Sequence, residues 1–365
     1  MTDKLSYHKS VDYSIADPAK VLAQKKAAET AGNMPFGFKE LGGTRGESAY
    51  VFDMGESYGA LVQEGLGTKS LIAQSIYAQT GKSHFKAIAK DTVATFINDL
   101  ISVGATPVVS NAYWSSSSYK WLGDKKLTED FINGWKEACD EAKIVWGGGE
   151  TQSLNGIVKD GVLEFAGSAF GVISPKSELV TEENLKAGDA IVLIEASGVH
   201  ANGISLTREI AAKLKDGYQT KFDSGATFGE ALLVPTHLYS NVVRKLFSEG
   251  VDVHYLSNIT GHGWRKIMRA TAEFSYVIEK VPPAQEVFAF IMEKSGNSET
   301  EMYGNYNMGA GYAVYVPDEQ ADKAVAAAQS CGLKAWVAGR LEKGPKKLEI
   351  RPKGISFEGE SLGVR

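Results

Sequence analysis

Hydrophobic residues between positions 87 and 103 recur at near-helical spacing, with Ile88, Val93, Phe96, Ile97, Leu100 and Ile101 forming a stripe and Gly104 acting as a stop. The pattern predicts a helix with one buried face. Upstream, the polar first ten residues read as mobile until docked, 18–31 as a helix favoured by Ala, Lys and Gln, and 36–46 as a glycine-rich loop. Apolar runs at 50–54 and 58–63 predict short strands joined by Gly55-Glu56-Ser57, the second running into a loop over 64–69. A strand at 107–113 precedes a helix reaching Ala142, with Thr128 as its expected cap and Glu129 and Asp130 in its first turn. Residues 143–146 read as a strand entering Gly147-Gly148-Gly149-Glu150, and 163–173 as a long strand.

The polar stretch 178–188 has no strong periodicity, which places the expected division at 1–177 and 178–365. Beyond it the pattern predicts strands at 190–196, 274–279, 311–316 and 335–341. Helices are expected at 203–214, 284–294 and 319–330, and one at 228–249 whose main segment starts at Pro235. Both halves mix strands with helices on one face. The expected fold class is therefore α+β: two α/β sandwich domains, each a mixed or antiparallel sheet covered by helices.

Composition narrows the function. A chain of 365 residues exceeds what one core usually serves, and two domains supply a cleft. Apolar and charged fractions of 43% and 23% are those of a globular protein. A net charge of −5 without a basic block excludes nucleic acid as the expected partner and leaves small anions open. Two distant cysteines, Cys139 and Cys331, form no zinc or disulfide pattern, and no apolar run suits a signal peptide or membrane span. The expected location is cytoplasmic.

Several glycine-rich segments compete as nucleotide sites. Thr80-Gly81-Lys82-Ser83 ends like a Walker A loop, but position 76 is Ile where that loop needs glycine. Neither Gly65-Leu66-Gly67 nor Gly309-Ala310-Gly311 completes a dinucleotide fingerprint. Gln63-Glu64-Gly65-Leu66-Gly67-Thr68-Lys69 combines an acid, glycines that admit backbone amides to phosphate, a hydroxyl and a lysine, although such a stretch also reads as a surface turn. Asp91 and Asn98 share a helix face beside Asp99, a set suited to Mg²⁺ or, equally, to dipole and solvent contacts. Glu150 follows three glycines at a strand end, where clefts form. His200 precedes a helix start, as an anion-site or a capping histidine. Thr260-Gly261-His262-Gly263 and Asn307-Met308-Gly309-Ala310-Gly311 are further compact polar loops.

In their order along the chain these segments resemble a known family. Gly65-Leu66-Gly67-Thr68-Lys69, the helix of Asp91 and Asn98-Asp99 ending in Gly104-Ala105-Thr106-Pro107, Gly148-Gly149-Glu150-Thr151, Gly198-Val199-His200-Ala201-Asn202-Gly203, Thr260-Gly261-His262-Gly263, and Glu301-Met302-Tyr303 with the Asn307 loop are similar to successive signatures of the aminoimidazole ribonucleotide synthetases. These enzymes are also called phosphoribosylformylglycinamidine cyclo-ligases. The likeness runs from about Ser6 to about Leu341.

The resemblance implies a homodimer formed through N-terminal sheets, an N-terminal domain binding ATP and Mg²⁺, and a C-terminal synthetase-type domain. It implies ATP-dependent ring closure of formylglycinamidine ribonucleotide in purine synthesis. Lys69, Asp99 and His200 would be catalytic. Gly65, Gly67, Thr68, Lys69, Asn98, Gly148 and Gly149 would hold nucleotide, and Glu64, Asp91, Asp99 and Glu150 would hold metal or its water. His200, Asn202, Gly203, Thr260 and Gly261 would face the ribonucleotide. The chain departs from the family pattern at Glu64, where aspartate is usual, at His262, where glycine is usual, at Gly304-Asn305 in place of Arg-Thr, and at Ala112, where an acid is usual. The alternatives are another ATP-dependent enzyme of the superfamily with a different substrate, or a non-catalytic nucleotide-binding relative.

Overall fold

The computed structural model describes Leu5 and residues 13–362, so the expectation for the first ten residues lies, Leu5 aside, outside the described residues. Strands β1 (Lys39–Glu40), β2 (Tyr50–Asp53), β3 (Tyr58–Gly65), β4 (Thr106–Ser116), β5 (Val145–Ser153) and β6 (Leu163–Ile173) build a first sheet in the order β1-β2-β3-β6-β4-β5. Its pairs are antiparallel except β4 with β5, which the helix Lys125–Ala142 joins as a crossover. Strands β7 (Ala190–Glu195), β8 (Tyr255–Asn258), β9 (Phe274–Ile278), β10 (Ala310–Val316), β11 (Ala335–Lys343), β12 (Lys347–Ile350) and β13 (Ile355–Glu358) form a second sheet, ordered β13-β12-β9-β11-β7-β10-β8. It is antiparallel apart from β12 beside β9. The α+β class with two mixed sheets is as the sequence predicts.

Strict alternation along β6 decides how the first half packs. Every second residue is buried, and inward-facing Phe165 stacks on Phe131 at 4.2 Å between ring centres. Burying each ring stabilises the fold by roughly 2–3 kcal/mol. Gly167 sits in the same inward row. A Cβ there would lie 2.4 Å from the Phe96 ring, so only glycine lets the helix Phe85–Leu100 approach this closely. That approach places Asp91, Asn98 and Asp99 against the second half of the chain.

Several elements differ from expectation. The first described helix is Tyr13–Ala28 and takes Pro18 inside it, rather than starting there. Residues 36–46 include the short strand β1. The stretch after Thr68 is a helix, Lys69–Thr80, closed by Gly81 in a left-handed conformation, which explains the spurious Thr80-Gly81-Lys82 signal. Asp124, not Thr128, caps the helix to Ala142, its carboxylate accepting from Leu127 N at 3.2 Å. The strand expected at 143–146 instead runs Val145–Ser153 and carries the three glycines. Gly149 is required there, because a Cβ would lie 2.1 Å from the Ala112 carbonyl.

The expected helix 228–249 is two helices, Phe228–Leu232 and Ser240–Ser248. Between them residues 234–239 are non-helical, and their amides bond to side chains of the first half, an attraction no local pattern reveals. Strands β8, β12 and β13 and the helix Glu299–Asn305 also went without a sequence signal.

Candidate active site

The helix Phe85–Leu100 supplies one wall of a cleft between the two sheets. Asp91 Oδ1 accepts from Thr236 N at 2.9 Å and from Thr236 Oγ1 at 2.6 Å, while Oδ2 lies 2.8 Å from Lys69 Nζ. Both charged side chains are fully buried. Desolvation pushes the Asp91 carboxyl up and the Lys69 ammonium down, and their mutual attraction opposes both shifts. Lys69 Nζ also donates to Val234 O at 3.2 Å. One turn pair further on, Asn98 donates to His237 O at 2.9 Å and accepts from Tyr239 N at 3.0 Å. Thus Lys69, Asp91 and Asn98 clasp the 234–239 segment.

Beyond this clasp opens a cavity of about 240 Å³, lined by Glu64, Asp99, His200, Asn202, Thr260 and Lys266 among others. Asp91 and Asn98 form part of its wall, as do Gly65 and Leu66. Glu64 reaches it from β3. It lies opposite Gly167 in register and so shares the inward face of the first sheet. Burial, followed by the nearby Asp99 charge, pushes the Glu64 carboxyl up to about 7 against the pull of Lys266 and Arg269. Asp99 Oδ1 accepts from Asn258 Nδ2 at 2.8 Å.

His200 stands in the left-handed region at φ 59°, and its Nε2 accepts from Ser197 N at 3.3 Å. In the neutral ring the proton therefore sits on Nδ1. Burial first, then His237 and Lys69, hold its pKa well below the usual value, so the ring is neutral at physiological pH. Gly203 starts the helix Ile204–Lys213 at φ 76°, where a Cβ would lie 2.1 Å from Tyr306. Thr260 lines the cavity, and Gly261 next to it does not. His262 follows at φ 71°, a conformation that favours the glycine usual in the resembled family.

The candidate residues thus separate into groups. Glu64, Gly65, Asp91, Asn98, Asp99, His200, Asn202 and Thr260 meet at the cavity. Gly67 at φ 76° turns the chain and Thr68 precedes the helix start, but neither they nor Lys69 line the space. Glu150 pairs with Tyr113, which pairs with Ala166 and so with Gly65, on the face of the first sheet opposite Glu64. It lines a second cavity of about 350 Å³ with Gln63 and Gly149. Within one chain the four candidate metal carboxylates therefore do not converge, because strand alternation sends Glu150 outward and the clasp engages Asp91.

Sequence reasoning missed Glu47, Thr236, Asn258, Lys266 and Arg269. Lys266 and Arg269 follow the Thr260 loop at a spacing of three, Lys266 within the turn Gly263–Met268 and Arg269 directly after it. Burial, then Arg269, pushes the Lys266 ammonium down to about 7, while Asp99, Glu64 and Glu47 act in the other direction. Arg269 Nε lies 3.5 Å from Glu47 and its Nη2 donates to Gly46 O at 3.0 Å.

Known proteins align with this arrangement along most of its length. Residues 46–173 match the family "AIR synthase related protein, N-terminal domain" and residues 186–350 its C-terminal domain counterpart. A phosphoribosylformylglycinamidine cyclo-ligase of Methanococcus vannielii is 30% identical over 299 residues, covering 82% of both chains. One from Pyrococcus horikoshii is 32% identical over 319 residues, covering 86% of this chain and 88% of that one. Among solved structures, a HypE–HypF complex superposes with a TM-score of 0.60 at 20% identity, over 86% of this chain and 92% of that one. AaThiL complexed with AMPPCP and TMP gives 0.57 at 16% identity, over 86% and 90%. The structural likenesses establish a shared fold.

Proposed function

Because the chain belongs to the AIR synthase related family, we propose that it is an ATP-dependent ring-closing ligase converting formylglycinamidine ribonucleotide to aminoimidazole ribonucleotide, ADP and phosphate in the cytoplasm. The observation that carries the reading is the cleft that Glu64, Asp99, Lys266 and Arg269 line together with the His200–Asn202 turn. In the reaction the formyl amide oxygen attacks the γ-phosphorus of ATP and the bond to ADP breaks. The amidine nitrogen then adds to the phosphorylated carbon, the carbon–oxygen bond breaks, and phosphate leaves with loss of a proton. Such chemistry needs positioning and charge neutralisation more than covalent help.

The residues suit those tasks. Neutral His200 and Asn202 offer hydrogen bonds to orient the amidine and amide groups, and Lys266 with Arg269 offer positive charge to phosphate. Mg²⁺ bound with the nucleotide would neutralise phosphate charge, and Glu64 with Asp99 are the oxygen donors that fit it, since their crowded carboxylates favour an added cation. Lys69, Asp91 and Asn98 act as positioning residues through the 234–239 segment.

The division at 1–177 and 178–365 belongs to the same proposal, as does a homodimer. Leu61, Val108 and Val145 stay 49%, 42% and 64% exposed on the first sheet, and Leu61 and Val145 share a cross-strand row with Phe170 and Val109. An uncovered apolar sheet face of this kind suits a second copy. Glu150, Gly148 and Gly149 would then lie next to that interface. Sedimentation should give a dimer that Leu61→Lys with Val145→Lys dissociates; a monomeric wild type refutes this part.

The activity is tested by phosphate release from the folded protein. It should require ATP, Mg²⁺ and formylglycinamidine ribonucleotide together, with an imidazole product; no release with all three overturns the reading. His262 in the Thr260 loop favours one second reading, an ATP-dependent enzyme of the family with another substrate. ATP turnover indifferent to that ribonucleotide would support it.

A further inference from the structure

The polar groups lining the cleft are mostly engaged. Asp91 is held by Lys69 and Thr236, Asp99 accepts from Asn258, Arg269 is paired with Glu47, and Asn98 is bound to both His237 and Tyr239. Two charged side chains are different. Among the described residues neither Glu64 nor Lys266 has a side-chain hydrogen bond or an ion-pair partner within 4.0 Å. Each nevertheless lines the same cavity and lies near enough to feel the other's charge.

The Lys266 backbone is also pinned. Its carbonyl accepts from Ser257 Oγ at 2.7 Å and from Arg269 N at 3.1 Å, which fixes where the side chain enters the space. A half-buried ammonium held in a polar cavity without a partner is a preformed receptor for an anion. Glu64 lines the same cavity but lies more than 4.0 Å away, so it leaves the Lys266 side chain open to a ligand.

We propose that Lys266 is the specificity-determining cation of this cleft, receiving the phosphate of an incoming ligand by a charge-assisted hydrogen bond. The assignment rests on the cleft being the substrate site. The shared chemistry is a phosphate monoester or phosphoanhydride terminus, and its source is either ATP or the 5′-phosphate of a ribonucleotide.

Calorimetry on the full chain would separate these sources, using ATP with Mg²⁺ in one arm and ribose 5-phosphate in the other, with adenosine and ribose as phosphate-free controls. Lys266→Met should weaken one of the two phosphate ligands by roughly ten- to a hundredfold, the loss expected for one charged hydrogen bond. Lys266→Arg should retain most of the affinity, and the arm that weakens identifies the phosphate. Lys266→Gln serves if the methionine variant does not fold, as judged by circular dichroism. Unchanged affinity for both ligands in a folded Met or Gln variant overturns the proposal. Because binding is the readout, a wild type that binds phosphate through Lys266 without cyclising formylglycinamidine ribonucleotide refutes only the proposed reaction.

Discussion

Lys69 and Asp91 form an ion pair at 2.8 Å with both side chains wholly withdrawn from solvent, joining the start of one helix to the first turns of the next. Asp91 uses its other oxygen for two bonds from Thr236, so the pair fastens the first sheet's helices to a segment of the second half. A buried pair is costly to break from one side, because the survivor keeps its charge without compensation. Lys69→Met or Asp91→Ala should each lower stability by about 3–5 kcal/mol, and Lys69→Met combined with Asp91→Leu by less than the sum of the two. Urea unfolding measures this; additive losses would show that the pair does not act as a unit.

Asn98 meets a donor and an acceptor at once. Its amide nitrogen serves His237 O and its oxygen serves Tyr239 N. Asn98→Asp removes the donor and sets a negative charge against a carbonyl. The expected loss is about 1–3 kcal/mol, with faster amide exchange at Tyr239. Unchanged exchange there would argue that the 234–239 segment is held by other contacts.

For Glu64, the carboxyl raised to about 7 by burial and by Asp99 implies a pH-dependent grip on cations. As pH falls through that value the group takes up a proton and its affinity for Mg²⁺ declines; as pH rises the affinity recovers. A Mg²⁺ titration in the presence of ATP across about pH 6 to 8 should show this slope, and Glu64→Gln should flatten it. A slope that survives in Glu64→Gln would point to another group.

Glu230 provides a test of stability against acid. Lys82 at 2.6 Å, then Thr227 N and Thr227 Oγ1, pull its carboxyl down to about 2 from an ordinary 4.5. A depressed acid contributes stability above its unfolded value, and that contribution disappears as pH falls through the folded one. Wild type should therefore exceed Glu230→Gln at neutral pH, with the difference closing between 4.5 and about 2. The pair is partly exposed, so added salt should shrink the difference. Thermal melts across that range decide the matter, and a constant offset would contradict it.

The strand Leu163–Ile173 is legible with the bounds its sequence predicts, but its faces are not, since Phe170 and Val172 are as apolar as Phe165 and Ala169 yet lie on the less buried side. The helix Lys69–Thr80 is not legible, because glycines before it and a Gly81-Lys82 pair after it look like loop chemistry. In the cleft, His200, Asn202, Thr260 and Glu64 could be singled out by their glycine-rich settings, and Asp99 by its place beside Asn98 on the helix that carries Asp91. Lys266 could not, since one cation among 39 Lys and Arg residues carries no local pattern.

Local spacing along the chain was enough to determine the α+β class, most strands and the ordered motifs that signal the family. Which side chains meet was decided by folding. Asp91 and Thr236 are 145 residues apart and Asn98 and Tyr239 141, yet each pair shares a hydrogen bond. Periodicity records which face an element buries, over a few residues at a time. Whether a buried lysine meets a carboxylate or an open cavity depends on contacts brought together from distant segments, and that difference turns Lys69 into a strut and leaves Lys266 facing the cleft.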